Sequence, residues 1–239
     1  MVATAASVLA ALKGKAKENT RKIFSRHGMA YERILGVNIA DIKPIAKSIK
    51  GQQALAVELF GTGVMEAMYL AGLVADGARM TREQLNGWAE DAAELRMIAE
   101  CSVPWVTVEN PAARDLAVKW MASRKELVAA AGWATYAGLL IVRPDTALDL
   151  KEVEALLETI VQRIHTSPNR VKYTMNNFVI CTGSYVKPLA AKAKAAAKKI
   201  GVVMVDMGET ECEVPSAAEY IAKVEARGKA YVKRKSIRC

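Results

Sequence analysis

Histidine is nearly missing from this chain, with only His27 and His165 among 239 residues. Both fall near expected helix ends, where a capping or surface role is expected and a catalytic one is not. Cysteine is sparse and scattered: Cys101, Cys181, Cys212 and Cys239 form no CxxC pair and have no histidine at ligand spacing. That is the pattern of reduced intracellular thiols, so no zinc site, other metal or cofactor is expected. Aromatic residues make up only 6% of the chain, and β-branched residues rarely alternate with polar ones, which argues against a sheet-built core. No apolar run reaches the roughly 18 residues that a bilayer crossing needs. The apolar opening MVATAASVLAAL carries its positive charges after the apolar run, the reverse of a signal peptide, and is expected to be the first helix of a cytoplasmic chain without membrane contact.

What is present favours helix. Hydrophobic residues are 52% of the total and alanine dominates them, enough for one large domain or two small ones. Helices are expected over 3–12, 15–27, 39–49, 54–60, 64–75, 82–101, 111–122, 125–141, 149–164, 169–181, 188–200 and 216–227. Their ends carry the usual signals: Gly28 and Gly51 as stops, and Asn38, Thr81, Asn110 and Ser216 as N-caps. Pro104 is expected to interrupt the chain after Cys101. The short VVMV run at 202–205 is the one candidate strand. None of the helices reads as hydrophobic all round, and they follow one another in pairs at an irregular spacing of about 30 to 45 residues. The expected fold class is therefore all-α, an α-α superhelix of degenerate HEAT-like helical repeats, with a compact orthogonal bundle as the alternative. A single domain over 1–228 and a basic tail over 229–239 are expected, in a monomer.

Lysine and arginine total 34 against 25 acidic residues, a net charge of +9 that attracts polyanions. The excess collects in 13–22, 187–199 and the tail after Lys223. Candidate contacts to a nucleic-acid backbone sit near helix starts: Lys43 and Lys47, Lys119 and Arg124, then Asn169, Arg170 and Lys172 after Ser167-Pro168, where backbone N–H groups also point outward. Asn176 and Asn177, two turns further on, either touch phosphate or bond within the protein. The KRKSIR tail is expected to be a flexible arm for polyanions.

The stretch KWMASRKELVAAAGWATYAG, 119–138, joins two helices. Ser123 and Glu126 have the spacing of a capping box, and Trp133 and Tyr136 share a face three residues apart. Together with GVNIADIKPIAKSI and AVELFGTGVMEAMYLAGLV, and in the same order, this stretch resembles the HEAT-like-repeat DNA alkylation-repair proteins, whose best-known members are bacterial alkylpurine DNA glycosylases. The resemblance covers 34–201. It implies double-stranded DNA as partner, and a reaction in which an alkylated, already cationic base leaves while a carboxylate stabilises the oxocarbenium-like sugar and aromatic faces attract the cation. The family's glycosylases use two tryptophans, an aspartate four residues after the first, and an arginine. Leu95, Ala99, Ala130 and Asn177 occupy the positions that align with the first tryptophan, the aspartate, the arginine and the second tryptophan.

A replacement is available in SVPWVTVENP, where Trp105 and Glu109 are an aromatic and an acid four residues apart. With Trp133 and Tyr136 as substrate pocket they would form an aromatic cage with one acid. Three readings stay open at this stage: excision of alkylated purines through Trp105 and Glu109, binding of damaged or branched DNA without catalysis, and a helical-repeat scaffold for an acidic protein.

Overall fold

Alanine-rich faces let helices approach closely, and the computed structural model, which describes residues 3–238, is built of helices and turns alone among those residues. Met1, Val2 and Cys239 lie outside them, and with Cys239 goes one of the four expected thiols; Cys181 is a free thiol. Burial pushes the Cys181 thiol up to about 12, so it packs as a small apolar group. The chain sorts into two compact units.

Unit 1 comprises residues 3–112, Met207–Glu211 and Arg238. Its helices are α1 (Ala5–Lys13), α2 (Glu18–Arg26), α3 (Ile39–Ser48), α4 (Gln53–Gly61), α5 (Met65–Val74), α6 (Arg82–Asp91) and α7 (Val103–Thr107). Thr81 caps α6 through a complete box with Gln84, as the sequence signals. The expected long helix over 82–101 is not continuous: α6 stops at Asp91, and after a break the chain forms a π-turn, Ile98–Ser102, that leads into α7. Pro104 sits within the first turn of α7, where a missing N–H costs nothing, so it does not act as a breaker. Phe60 stacks on Trp88 at 3.8 Å between ring centroids.

The centre of unit 1 is a fully buried carboxylate. Glu66, in the first turn of α5, accepts backbone N–H bonds from Leu35 (3.0 Å), Gly36 (2.6 Å) and Val37 (3.0 Å). The 34–37 loop has no helical partners for these donors, and a charge at a helix N-terminus is favourably placed.

Unit 2 comprises Ala113–Asp206 and Cys212–Ile237. Its helices are α8 (Ala113–Met121), α9 (Glu126–Val142), α10 (Leu150–Arg163), α11 (Asn169–Tyr185), α12 (Ala190–Ile200) and α13 (Ala217–Ala226). Contrary to the expectation of one-sided helices, α9 is buried on nearly every face, and so is α5 in unit 1. Gly132 explains how α9 fits against α8: a Cβ there would lie 2.5 Å from the Met121 nitrogen and 2.7 Å from the Ala117 oxygen. Only glycine permits that approach.

Two local expectations fail because the side chains find distant partners. Glu126 does not close a box with Ser123; its carboxylate receives the Arg170 N–H at 2.5 Å, at the start of α11. VVMV forms no strand: Val203 is buried while Val202 and Met204 are each 76% exposed, and the next residue pair is held by a side chain, Asp206 N–H donating to Asn169 Oδ1 (2.7 Å). The C-terminal tail is not a free arm either. Tyr231 N–H donates to the Ser184 oxygen, Arg234 N–H to the Ile141 oxygen, and Lys233 Nζ reaches both Leu140 O and Asp145 at 2.8 Å.

Replacing Glu66 by glutamine removes the charge and turns an amide N–H₂ toward backbone donors. Since a charge-assisted hydrogen bond contributes about 1.5 to 3 kcal/mol and an unsatisfied buried donor costs as much, urea unfolding of Glu66→Gln should show a loss of about 3 kcal/mol.

Candidate nucleic-acid interface

In unit 1 the turn between α5 and α6 is built to dock on the end of α7. Asp76 Oδ1 accepts the Ala78 N–H, closing a tight turn over Gly77–Arg79. Gly77 must be glycine for contact reasons, because a Cβ would fall 1.8 Å from the Val106 carbonyl oxygen. Asn110, buried, donates to Gly77 O (2.7 Å) and Met80 O (2.8 Å) while accepting from Ala112 N–H (2.9 Å), so the predicted start signal before α8 also ties this turn down. Glu109 Oε2 accepts the Gly77 N–H at 3.0 Å. The same oxygen pairs with Arg238 Nη2 at 2.5 Å, and that guanidinium donates to the α5 end at Leu73 O (3.0 Å) and Ala75 O (2.6 Å).

These groups line a groove of about 660 Å³ that also carries Lys43, Lys47, Lys50 and Asp76. Lys43 and Lys47 lie one turn apart on α3 and Lys50 just past its end, all three exposed. Trp105, the proposed partner of Glu109, is 6% exposed and meets Tyr69 edge-on at 5.2 Å. Its ring is held in the packing of unit 1, whereas the Glu109 side chain is 36% exposed in the groove.

In unit 2, Trp133 and Tyr136 are 3% and 2% exposed, and both pack edgewise on Phe178, at 5.5 and 5.7 Å. The Tyr136 hydroxyl donates to Glu152, which is gripped bidentately by Arg114 at 3.0 and 2.6 Å. Burial, reinforced by the Glu152 carboxylate, raises the Tyr136 pKa far above the ordinary phenol range. Asn169 exchanges two hydrogen bonds with the Asp206 backbone (2.8 and 2.7 Å), Arg170 is buried with its guanidinium 4.4 Å over the Tyr173 ring, and Lys172 is partly exposed. Lys119 and Arg124 are exposed. Asn176 is buried and donates to Pro215 O, while Asn177 is exposed.

Sequence reasoning missed Arg114 and Lys50, and placed Arg238 only in a free polyanion-binding arm. Lys50 was recoverable as the next basic residue at helical spacing after Lys43 and Lys47; the two arginines reach partners at separations that no local pattern encodes. Among the described residues no group of three metal-binding side chains occurs, and no helix is long and apolar enough to cross a membrane. Leu95, Ala99 and Ala130 are all at zero exposure.

A family model described as DNA alkylation repair enzyme matches residues 8–196. The chain belongs to the DNA alkylation repair enzyme family. This family member is 33% identical over 212 residues to an uncharacterized protein of Listeria innocua serovar 6a, spanning 87% of this chain and 92% of that one. It is 32% identical over 214 residues to an uncharacterized protein of Listeria monocytogenes serovar 1/2a, spanning 88% and 92%. It is similar, at a TM-score of 0.89 and 37% identity, to a solved structure presented as a new family of proteins related to the HEAT-like repeat DNA glycosylases with affinity for branched DNA structures; the match covers 99% of this chain and 100% of that one. The all-α class and HEAT-like repeats expected from the sequence are thus the fold of this protein.

Tyr136 holds its proton more tightly folded than unfolded, so its contribution to stability is fully present below about pH 10 and is lost as the pH rises toward the folded-state value. Tyr136→Phe should lower stability by about 1 to 2 kcal/mol at neutral pH and show a shallower decline above pH ~10, measured by urea unfolding across pH.

Proposed function

We propose that this family member binds DNA through its phosphate backbone, with preference for branched structures, and does not excise bases. The observation that carries this reading is the state of the positions aligned with the family's catalytic groups. Leu95, Ala99 and Ala130 are apolar and fully buried, so nothing there can stabilise a sugar cation or grip a phosphate. The replacement set is also committed elsewhere. A cationic base needs an open ring face within about 6 Å, and Trp105, Trp133 and Tyr136 give their rings to Tyr69 and Phe178. Glu109 is already paired with Arg238 and the Gly77 N–H.

Backbone binding asks for less: exposed cations at reachable positions. Lys43, Lys47 and Lys50 supply them in unit 1, and Lys119, Arg124 and Lys172 in unit 2. Asn169 and Arg170 serve in this reading by fixing the start of α11 and not by touching DNA. The preference for branched DNA is supported by the affinity ascribed to the 37%-identical relative.

Fluorescence anisotropy with a four-way junction and a matched duplex, over a series of salt concentrations, tests the proposal. The expected result is tighter binding to the junction, a steep fall with salt of about 0.9 log unit per neutralised phosphate, and a slope lower by about 1 for each of Lys119→Gln and Arg124→Gln. A flat salt response would overturn DNA binding in favour of an acidic protein partner. Release of 7-methylguanine or 3-methyladenine from alkylated DNA by the wild-type protein would overturn the non-excising reading.

A further inference from the structure

A groove meant for a polyanion is poorly served by a carboxylate, yet Glu109 lines the same groove as Lys43, Lys47 and Lys50. A second negative feature lies beside it. The C-terminal end of α5 contributes Leu73, Val74 and Ala75 to the lining, and the unsatisfied carbonyls of a helix end carry partial negative charge. One side chain covers both. Arg238 donates to Leu73 O at 3.0 Å, to Ala75 O at 2.6 Å and to Glu109 Oε2 at 2.5 Å. Its side chain is 18% exposed, less than the 36% of Glu109, so the guanidinium is seated in the protein.

We propose that Arg238 is a charge mask: by neutralising Glu109 and capping the α5 carbonyls, it makes the groove of unit 1 competent to hold the phosphates of a DNA strand. The inference rests on the DNA-binding reading above and gives Arg238 a positioning role within it. With Arg238 in place the groove carries four cations, Lys43, Lys47, Lys50 and Arg238, against two carboxylates, Asp76 and Glu109. The guanidinium pairs with Glu109 Oε2, so Glu109 is the acid whose charge Arg238 controls. Remove the guanidinium and the surplus halves while two groups that repel phosphate are uncovered. The site thus depends on a residue more than 120 positions from Glu109, the two being 129 apart in sequence.

The test uses the full chain, a four-way junction and anisotropy at several salt concentrations, with thermal unfolding of every variant. Arg238→Gln should bind about tenfold more weakly than wild type at low salt, the difference shrinking as salt screens the uncovered Glu109. Adding Glu109→Gln to Arg238→Gln should bring affinity back to within about threefold of wild type, because the repelling charge is gone. A merely structural tie predicts the reverse pattern, since the double variant restores no contact to Leu73 or Ala75. Should Arg238→Gln fail to fold, Arg238→Lys replaces it: the charge stays and the fork is lost, so a lower Tm with near-wild-type affinity is expected. The inference is overturned if wild type binds the junction with a steep salt slope while Arg238→Gln binds equally well, if the double variant stays as weak as Arg238→Gln, or if folded Arg238→Lys binds about tenfold more weakly than wild type. A wild type without salt-dependent binding refutes the DNA reading itself.

Discussion

An array of short helices has many ends, and each end leaves backbone groups without helical partners. This protein depends on side chains that arrive from far along the chain to satisfy them. Glu66 takes the N–H groups of Leu35, Gly36 and Val37; Glu126 takes that of Arg170 at the start of α11. At the other polarity, Lys233 takes Leu140 O at the end of α9, His165 takes Ile200 O at the end of α12, and Arg238 takes two carbonyls at the end of α5. Each pairing made at a helix end has the donor or acceptor polarity that the helix dipole favours, and Glu66 serves the N–H groups of a loop in the same way. The close helix packing at Gly132 brings apolar faces together, but these polar ties settle where the connecting turns lie.

That dependence also explains what was legible in the sequence. Local signals translated directly. Thr81 with Gln84 forms the capping box, and Gly28 and Gly51 end their helices at φ of +77° and +80°. Helix class follows from alanine content and 3.6-residue periodicity, which need no distant partner, while the expected helix over 82–101 divides into α6 and the π-turn before α7. Ser123 and Glu126 carry an equally good capping pattern, and there the pattern misleads because Arg170 N–H, 44 residues away, competes for the same carboxylate. The same holds for the tail: its charges suggest an arm, whereas Asp145 and Glu109 bind two of them. A segment with alternate valines such as Val202–Val205 lacks a neighbouring strand, and its alternation ends as one buried side and one exposed side with no ladder.

The candidate site was legible as chemistry and not as geometry. An aromatic and an acid at Trp105 and Glu109, and two aromatics at Trp133 and Tyr136, are what a cationic leaving base calls for. Burial places these rings against Tyr69 and Phe178 instead, and the buried α9 helix, apolar on nearly all sides, leaves Tyr136 only an inward partner, Glu152. Leu95, Ala99 and Ala130, at the positions that align with the family's catalytic groups, are apolar residues filling the interior.

The seat of Arg238 has a consequence in time. Leu73 and Arg238 are 165 residues apart. At a synthesis rate of roughly 5 to 20 residues per second, about ten to thirty seconds separate their appearance during translation. Throughout that interval the end of α5 lacks its guanidinium cap, and Glu109, made 36 residues after Leu73, lacks its counter-charge until Arg238 follows, so the apolar residues of 3–112 are all present before this charge pairing is.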